Sequence, residues 1–293
     1  MARFKLTLEY AGTRYSGWQI QANARSVQGE IATAVRKISG RSDFELYGSG
    51  RTDAGVHALQ QVAHLDLNTP LKAGQLRFAI NDLLPADINV LEIESVPRRF
   101  HARHGAQARS YLYQISRRRT AFGKPFVWWI KDSLDAGLMR RAAALFVGMH
   151  DFRSFTAGDP EAGGSRVLVD RLEVGEADDL ILIRMLGSHF VWKMVRRVVG
   201  VLAEVGRGGL GMSDVSRFLN EYSDIPAQLT APPSGLFLER VFYEGEPREL
   251  PLRPVLDVGS VTAGRAGSVA PVSRERTPSQ TPRRRGFRTG GRS

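Results

Sequence analysis

The same order of hydrophobic patterns occurs twice along the chain, and this duplication limits the available folds more than any other feature. In residues 3–10 apolar and polar side chains alternate, with Phe4, Leu6, Leu8 and Tyr10 on one face and Arg3, Lys5, Thr7 and Glu9 on the other. That is the period of a half-buried strand. Ser26 is a good N-cap for a helix carrying Val27, Ile31, Val35 and Ile38 at helical spacing and stopping near Gly40. Strand-like runs at 43–47 and 61–67, a helix over 72–83 and a strand through 88–94 complete the first unit. The second unit has a strand at 107–116, a helix from Asp135 to Gly148, strands at 167–174 and 180–186, and a long helix over 190–205. A short helix after Ser213 and a strand at 236–243 end it.

Two split β-α-β-β-α-β units predict an α+β fold made of two RRM-like or ferredoxin-like halves, each an antiparallel sheet with helices on one side. Joined edge to edge, they share one extended antiparallel sheet with a central cleft, a favoured place for a ligand. The expected organisation is an N-terminal half over 1–105, a C-terminal half over 106–245 and a basic tail over 246–293. The tail is rich in Arg, Pro, Gly and Ser, has Phe287 as its single aromatic residue, and shows no sustained period. Such a segment buries too little apolar surface to order itself. It holds ten arginines against four acidic residues, so +6 of the chain's formal +11 lies there and the body carries +5. A solubilising extension and a non-specific RNA contact both fit that composition. The body's charge suits a polyanionic partner but does not identify one.

Several classes are set aside. Cysteine is absent, which removes disulfides and thiolate chemistry. The six histidines, His57, His64, His101, His104, His150 and His189, show no metal-ligand spacing, so no metal is expected. No apolar run approaches the roughly 18 residues of a membrane span, and the opening MARFKLTLEY reads as a strand, not a signal peptide. A cytoplasmic location is the expectation.

The densest chemical signal is G-S-G-R-T-D-A-G-V-H, Gly48 to His57, placed between two strands. Its glycines call for a tight turn with positive φ at one or more of them. The lysine of a phosphate-cradling loop is missing, and a strand follows where that loop would open a helix. Asp53 in this turn either bonds its own backbone or serves as a functional carboxylate. Arg51, two residues away, can hold the loop or bind phosphate. A carboxylate taken from water keeps its charge only with a cation beside it. The candidate cations lie in H-F-V-W-K-M-V-R-R-V-V-G-V-L, where Val191, Met194, Val195, Val198, Leu202 and Val205 form an apolar face and Lys193, Arg196 and Arg197 fall outside it. They form a solvated ridge, or Arg196, at the edge of the apolar face, points toward the cleft. On the strand A-Q-A-R-S-Y-L-Y-Q-I the period of two sets Arg109, Tyr111 and Tyr113 on one face. That face is a platform for stacking a base or an ordinary tyrosine-bearing sheet surface.

The loop string G-S-G-R-T-D-A-G-V-H-A resembles the signature of the tRNA pseudouridine synthase A family. Further blocks resemble the family in the same order: Y-A-G-T-R-Y-S-G-W-Q-I-Q at 10–21, V-Q-G-E at 27–30, N-D-L-L-P-A-D-I-N-V at 81–90 and F-H-A-R at 100–103. R-S-Y-L-Y at 109–113, H-D-F-R-S-F at 150–155, M-V-R at 194–196 and A-P-P-S-G-L-F-L-E-R-V-F-Y at 231–243 continue the series. The resemblance covers roughly 3–243 and leaves out the tail. It implies the doubled antiparallel fold, a homodimer, no cofactor or metal, and isomerisation of uridine to pseudouridine at positions 38, 39 and 40 of the tRNA anticodon arm. It also implies that Asp53 is the nucleophile, Tyr111 the active-site tyrosine and Arg196 the basic residue paired with Asp53. Tyr113 belongs to the stacking face, Leu236 would keep water from a reactive intermediate, and Arg51, Arg109 and Arg197 are candidate contacts to the RNA backbone. The chain departs from the family at Trp192–Lys193, where histidine is usual, at Arg197, where asparagine is common, and in T-A-G-D-P-E-A-G-G after Phe155.

Other readings are a pseudouridine synthase for a different RNA site and a non-catalytic pair of RRM-like modules. The second lacks a clear aromatic-and-glycine RNP1 pattern. A dinucleotide enzyme lacks G-x-G-x-x-G at the head of a helix. One outcome follows from the missing ligand cluster: activity should survive EDTA once the magnesium that folds tRNA is restored. Loss that only zinc reverses would overturn the metal-free expectation.

Overall fold

The computed structural model describes residues 1–159 and 164–256. The first half runs β1 (Ala2–Tyr10), α1 (Val27–Ser39), β2 (Glu45–Gly48), β3 (His57–Leu67), α2 (Ala73–Asn81) and β4 (Ile88–Val96). The second runs β5 (Ala108–Ser116), the short β6 (Trp128–Trp129), α3 (Ala136–Ala144), β7 (Gly148–Asp151), β8 (Arg166–Ala177), β9 (Leu180–Gly187) and α4 (Met194–Arg207). Helices α5 (Met212–Asn220) and α6 (Ile225–Gln228) precede β10 (Leu236–Phe242). Among the described residues no helix is long and apolar enough to cross a membrane.

The duplicated pattern becomes duplicated topology. Neighbouring strands run β4-β1-β3 with β2 also on β3, and β10-β5-β9-β8 with β7 beyond it. Each half therefore has the spatial order of a split β-α-β-β-α-β unit. The join lies between β3 and β10, where Phe237 faces His57 and Leu238 faces Ala58 in parallel register. The short β6 also pairs in parallel, with β5, and every longer pairing is antiparallel. The result is the expected extended α+β sheet.

Two cores follow from this layout. Phe4, Leu6, Leu8 and Tyr10, the alternating set of β1, pack with Val27, Ile31 and Val35 of α1 and Leu76 and Ile80 of α2. Ser26 caps α1 as expected, its hydroxyl accepting from the Gly29 N–H, and Gly40 closes it in the left-handed region at φ 63°. In the second half Tyr113, Ile115, Ile181, Ile183 and Met185 pack with Met139 of α3 and Val195, Val198 and Leu202 of α4.

The structure departs from the expected boundaries in three places. Strand β3 begins at His57, not 61, so it rises directly out of the Asp53 loop. Its first four residues, buried at His57 and Ala58, half-buried at Leu59 and exposed at Gln60, lack the alternation that marks a strand in sequence. Helix α4 begins at Met194, not 190, because Lys193 takes a left-handed conformation (φ 62°) as its N-cap. The helix expected to reach Gly148 ends at Ala144, and Gly148, at φ 110°, opens β7 instead.

The tail boundary at 246 also shifts. Residues 246–256 continue along the sheet face opposite the second core. Leu252 and Val255 pack on Leu112, Leu180 and Leu182, and Leu250 packs on Ala108, Leu186 and Phe242. The Leu250 and Pro251 carbonyls accept from Arg184, 2.7 and 2.8 Å away. Arg184 is 3% exposed and pairs with Glu239 at 2.6 Å. The rest of the expected tail, 257–293, lies outside the described residues, as does 160–163 in the divergent segment after Phe155. Deleting 246–293 should therefore cost more stability than deleting 257–293. Baring Arg184 and three apolar side chains costs about 3 kcal/mol, or roughly 6–12 °C in thermal midpoint. Equal midpoints by calorimetry would mean that the strap contributes nothing.

Candidate active site

The Asp53 loop is clamped from two directions. On one side the block at 10–18 lies against it. The Trp18 N–H donates to the Thr52 carbonyl at 3.1 Å, the Gly55 N–H to the Tyr15 carbonyl at 3.2 Å, and the Tyr10 hydroxyl meets the Thr52 hydroxyl at 2.8 Å. Gly17 makes this approach possible: it sits at φ 95°, and a Cβ there would lie 2.4 Å from the Thr52 carbonyl oxygen. On the other side Gln61 accepts from the Ser49 hydroxyl at 2.7 Å and donates to the Gly50 carbonyl at 3.0 Å. The Val56 N–H closes the turn on the Asp53 carbonyl at 3.1 Å, with Gly55 at the positive φ the sequence called for, 78°. His57 anchors the exit. Its Nδ1 accepts from the Gly12 N–H at 3.0 Å and its Nε2 lies 3.0 Å from the Pro125 carbonyl. Burial lowers its pKa, so the ring stays neutral.

The second half supplies the partners. Helix α4 brings Arg196 up with its Nε donating to the Ala231 carbonyl at 2.7 Å, while the Ala231 N–H donates back to the Arg196 carbonyl at 3.0 Å. The segment leading to β10 can run this close because residue 200 is glycine: a Cβ there would stand 1.7 Å from the Leu229 carbonyl oxygen. Thus held, Arg196 places Nη1 3.4 Å from Asp53 Oδ2. Asp53 Oδ1 accepts from the Trp192 indole N–H at 3.1 Å. The Arg196 and Asp53 side chains are 13% and 25% exposed, a pair half withdrawn from water but open on one side.

Tyr111 sits where the two cores meet, packed against both. Its ring stands edge-on to Phe190 at 5.1 Å between centroids. Burial pushes its hydroxyl up to about 12, and the Asp53 charge adds to the rise while Arg109 opposes it. The phenol is therefore protonated at any pH near neutrality.

The remaining expected residues divide. Arg51 is exposed on the loop. Leu236 is buried in the second core, together with Val56 from the Asp53 loop. Tyr113 corrects the expected stacking platform. It is 0% exposed and its hydroxyl donates to the Pro232 carbonyl at 2.8 Å, so its ring faces the core beneath α4 and offers no surface to a base. Arg109 and Arg197, expected as contacts to an RNA backbone, are turned inward. Arg109 donates to the carbonyls of Ser49, Arg103 and Ser188, and Arg197 donates to those of Ser154 and Thr156. Burial lowers the pKa of both guanidiniums.

Sequence reasoning missed two features. The block at 10–18 serves as the back wall of the loop; its closely spaced Gly12 and Gly17 were the available signal. The Trp192 contact spans 139 positions and left no local trace.

A model of the tRNA pseudouridine synthase family matches residues 7–104 and 142–244. The tRNA pseudouridine synthase A of Brucella ovis is 41% identical over 248 residues, covering 83% of this chain and 98% of its own. That of Brucella abortus (strain 2308) aligns with the same figures. A solved chain of a Cbf5-Nop10-Gar1 complex shares 12% identity at a TM-score of 0.35, over 69% of this chain and 45% of that one, a likeness too slight to build on. With both matched stretches containing the facing elements of the Asp53–Arg196 contact, and with relatives aligned along nearly their whole length, the chain belongs to the tRNA pseudouridine synthase family.

Proposed function

We propose that the protein isomerises uridine to pseudouridine at positions 38, 39 and 40 of the tRNA anticodon arm, with Asp53 as nucleophile. The observation that carries this reading is the meeting of Asp53 with Arg196 across the two halves, on a loop tied down from both sides. Family membership supports tRNA as the substrate. The resemblance of the motif blocks supports the anticodon arm and a homodimer, and tRNA as the substrate supports a cytoplasmic location.

The reaction breaks the N1–C1′ bond, turns the uracil and closes a C5–C1′ bond. A proton leaves C5 and one is gained at N1, so atoms and electrons balance within the substrate. Asp53 supplies the nucleophilic oxygen, with the Arg196 guanidinium beside its carboxylate, and the bond it makes to the substrate is broken again before the product leaves. Tyr111, protonated and close enough to feel the Asp53 charge, relays the proton between carbon and nitrogen. The target base must leave its stack to arrive there. Arg51, exposed on the loop, takes a phosphate during that step, whereas Arg109 and Arg197 act by holding backbone. Leu236 and the core around it exclude water from the floor of the site.

Replacing Asp53 by Asn should reduce turnover by about 10³-fold or more while tRNA affinity stays within a few-fold, because the carboxylate does chemistry and not adhesion. A comparable rate in Asp53→Asn would remove the residue from this role, and a collapse of binding would make the loop structural. Mapping pseudouridine in tRNA from cells lacking the protein should show loss at 38–40; loss only elsewhere would overturn the target. For Tyr111 the raised pKa fixes the sign: the phenol stays protonated until about 12, so kcat should show no limb from it below roughly pH 11. Tyr111→Phe should lower kcat by about 10²–10⁴-fold. A limb near pH 8–9 that vanishes in that variant would contradict the buried, protonated phenol.

A further inference from the structure

We infer that Trp192 is a positioning residue of this site, its indole N–H fixing the plane of the Asp53 carboxylate. The inference rests on the reading of Asp53 as nucleophile. A carboxylate held through one oxygen can still swing about its terminal torsion, which is broad and soft. Here Arg196 reaches one oxygen at 3.4 Å, well beyond the 2.7–2.9 Å of a strong charge-assisted bond. The shortest donor contact of Arg196 is spent on the Ala231 carbonyl. The indole N–H at 3.1 Å on the other oxygen is the closer of the two side-chain donors, and with both oxygens held the torsion is set.

The surroundings of Trp192 suit this task. Its side chain is large and apolar yet the residue is 56% exposed, so core packing does not account for its place. The Ala157 N–H donates to its carbonyl at 2.9 Å, and the left-handed Lys193 that follows breaks the chain out of α4 just there. The Lys193 ammonium lies 5.1 Å from the ring centroid. These ties aim the N–H edge at Asp53. At this position the motif resemblance led to an expectation of histidine, whose ring N–H can offer the same donor.

Two measurements test the assignment. In a 15N-indole spectrum the Trp192 signal, identified through Trp192→Phe, should move in Asp53→Ala, while those of Trp18, Trp128 and Trp129 hold. In single-turnover assays on tRNA, Trp192→Phe should lower the chemical rate about tenfold with tRNA affinity within about twofold, and Trp192→His should recover most of it. An unmoved indole signal, a wild-type rate, or a loss confined to affinity would each overturn the inference. A faster Trp192→Phe enzyme would do so too, showing that the indole guards the carboxylate and has to leave. Failure of the nucleophile reading is distinct, since it appears as activity in Asp53→Asn.

Discussion

Asp53 belongs to the first half of the chain and Arg196 to the second, so their contact exists only while the two halves share a sheet. The seam that joins them is narrow, two residue pairs between β3 and β10. The Asp53 loop runs straight into the first of those pairs through His57, and Leu236 begins the strand that supplies the other side. The same segment governs Arg196. Five residues before β10, Ala231 exchanges two hydrogen bonds with Arg196, and Gly200 gives that segment room against the helix. Residues 229–238 therefore set both the position of the cation and the register of the seam. A shift in that stretch would move the guanidinium and the loop together.

The basic residues near the site are mostly consumed in holding backbone. Arg109 spans three carbonyls, Arg197 two, and Arg196 gives its Nε to the carbonyl of Ala231. Arg184 does the same for the strap at 250–251 while pairing with Glu239. The guanidinium suits this work because its several fixed donors can bridge carbonyls on separate segments. The consequence for recognition is that formal charge overstates the cations free to meet RNA. Arg51 is exposed on the loop itself.

What the sequence reveals here follows the range of the interaction. The alternation of Phe4, Leu6, Leu8 and Tyr10 and the cap at Ser26 are local, and the structure has them as expected. The doubled order of elements carried over to strand order because each unit closes on itself. Asp53 and Arg196 were visible as a clustered motif and a residue at the edge of a helical face. Tyr113 was misjudged because a period of two assigns a face but not what covers it, and Pro232 and Gly235 of the segment before β10 lie against its ring. The start of α4 was misjudged because an apolar period continues through Phe190 and Val191 although Lys193 turns the backbone away. The strap at 246–256 was missed because Leu250, Leu252 and Val255 are too sparse among prolines and charges to form a period. They become a surface only once Leu112, Leu180 and Leu182 are beneath them.

The seam also separates Tyr111 from Asp53 by what each side chain requires of its surroundings. A phenol is neutral when protonated, so the apolar packing that surrounds Tyr111 from both cores costs it nothing and raises its pKa to about 12. A carboxylate in the same packing would be driven toward its uncharged form. Asp53 lies instead at the mouth of the seam, where a quarter of its side chain remains exposed and N–H donors reach both oxygens. The phenol is thus kept protonated at the core-to-core junction, and the carboxylate lies at its rim. In the proposed reaction the first moves a proton and the second attacks, and neither assignment can be exchanged without moving a group from the rim to the core.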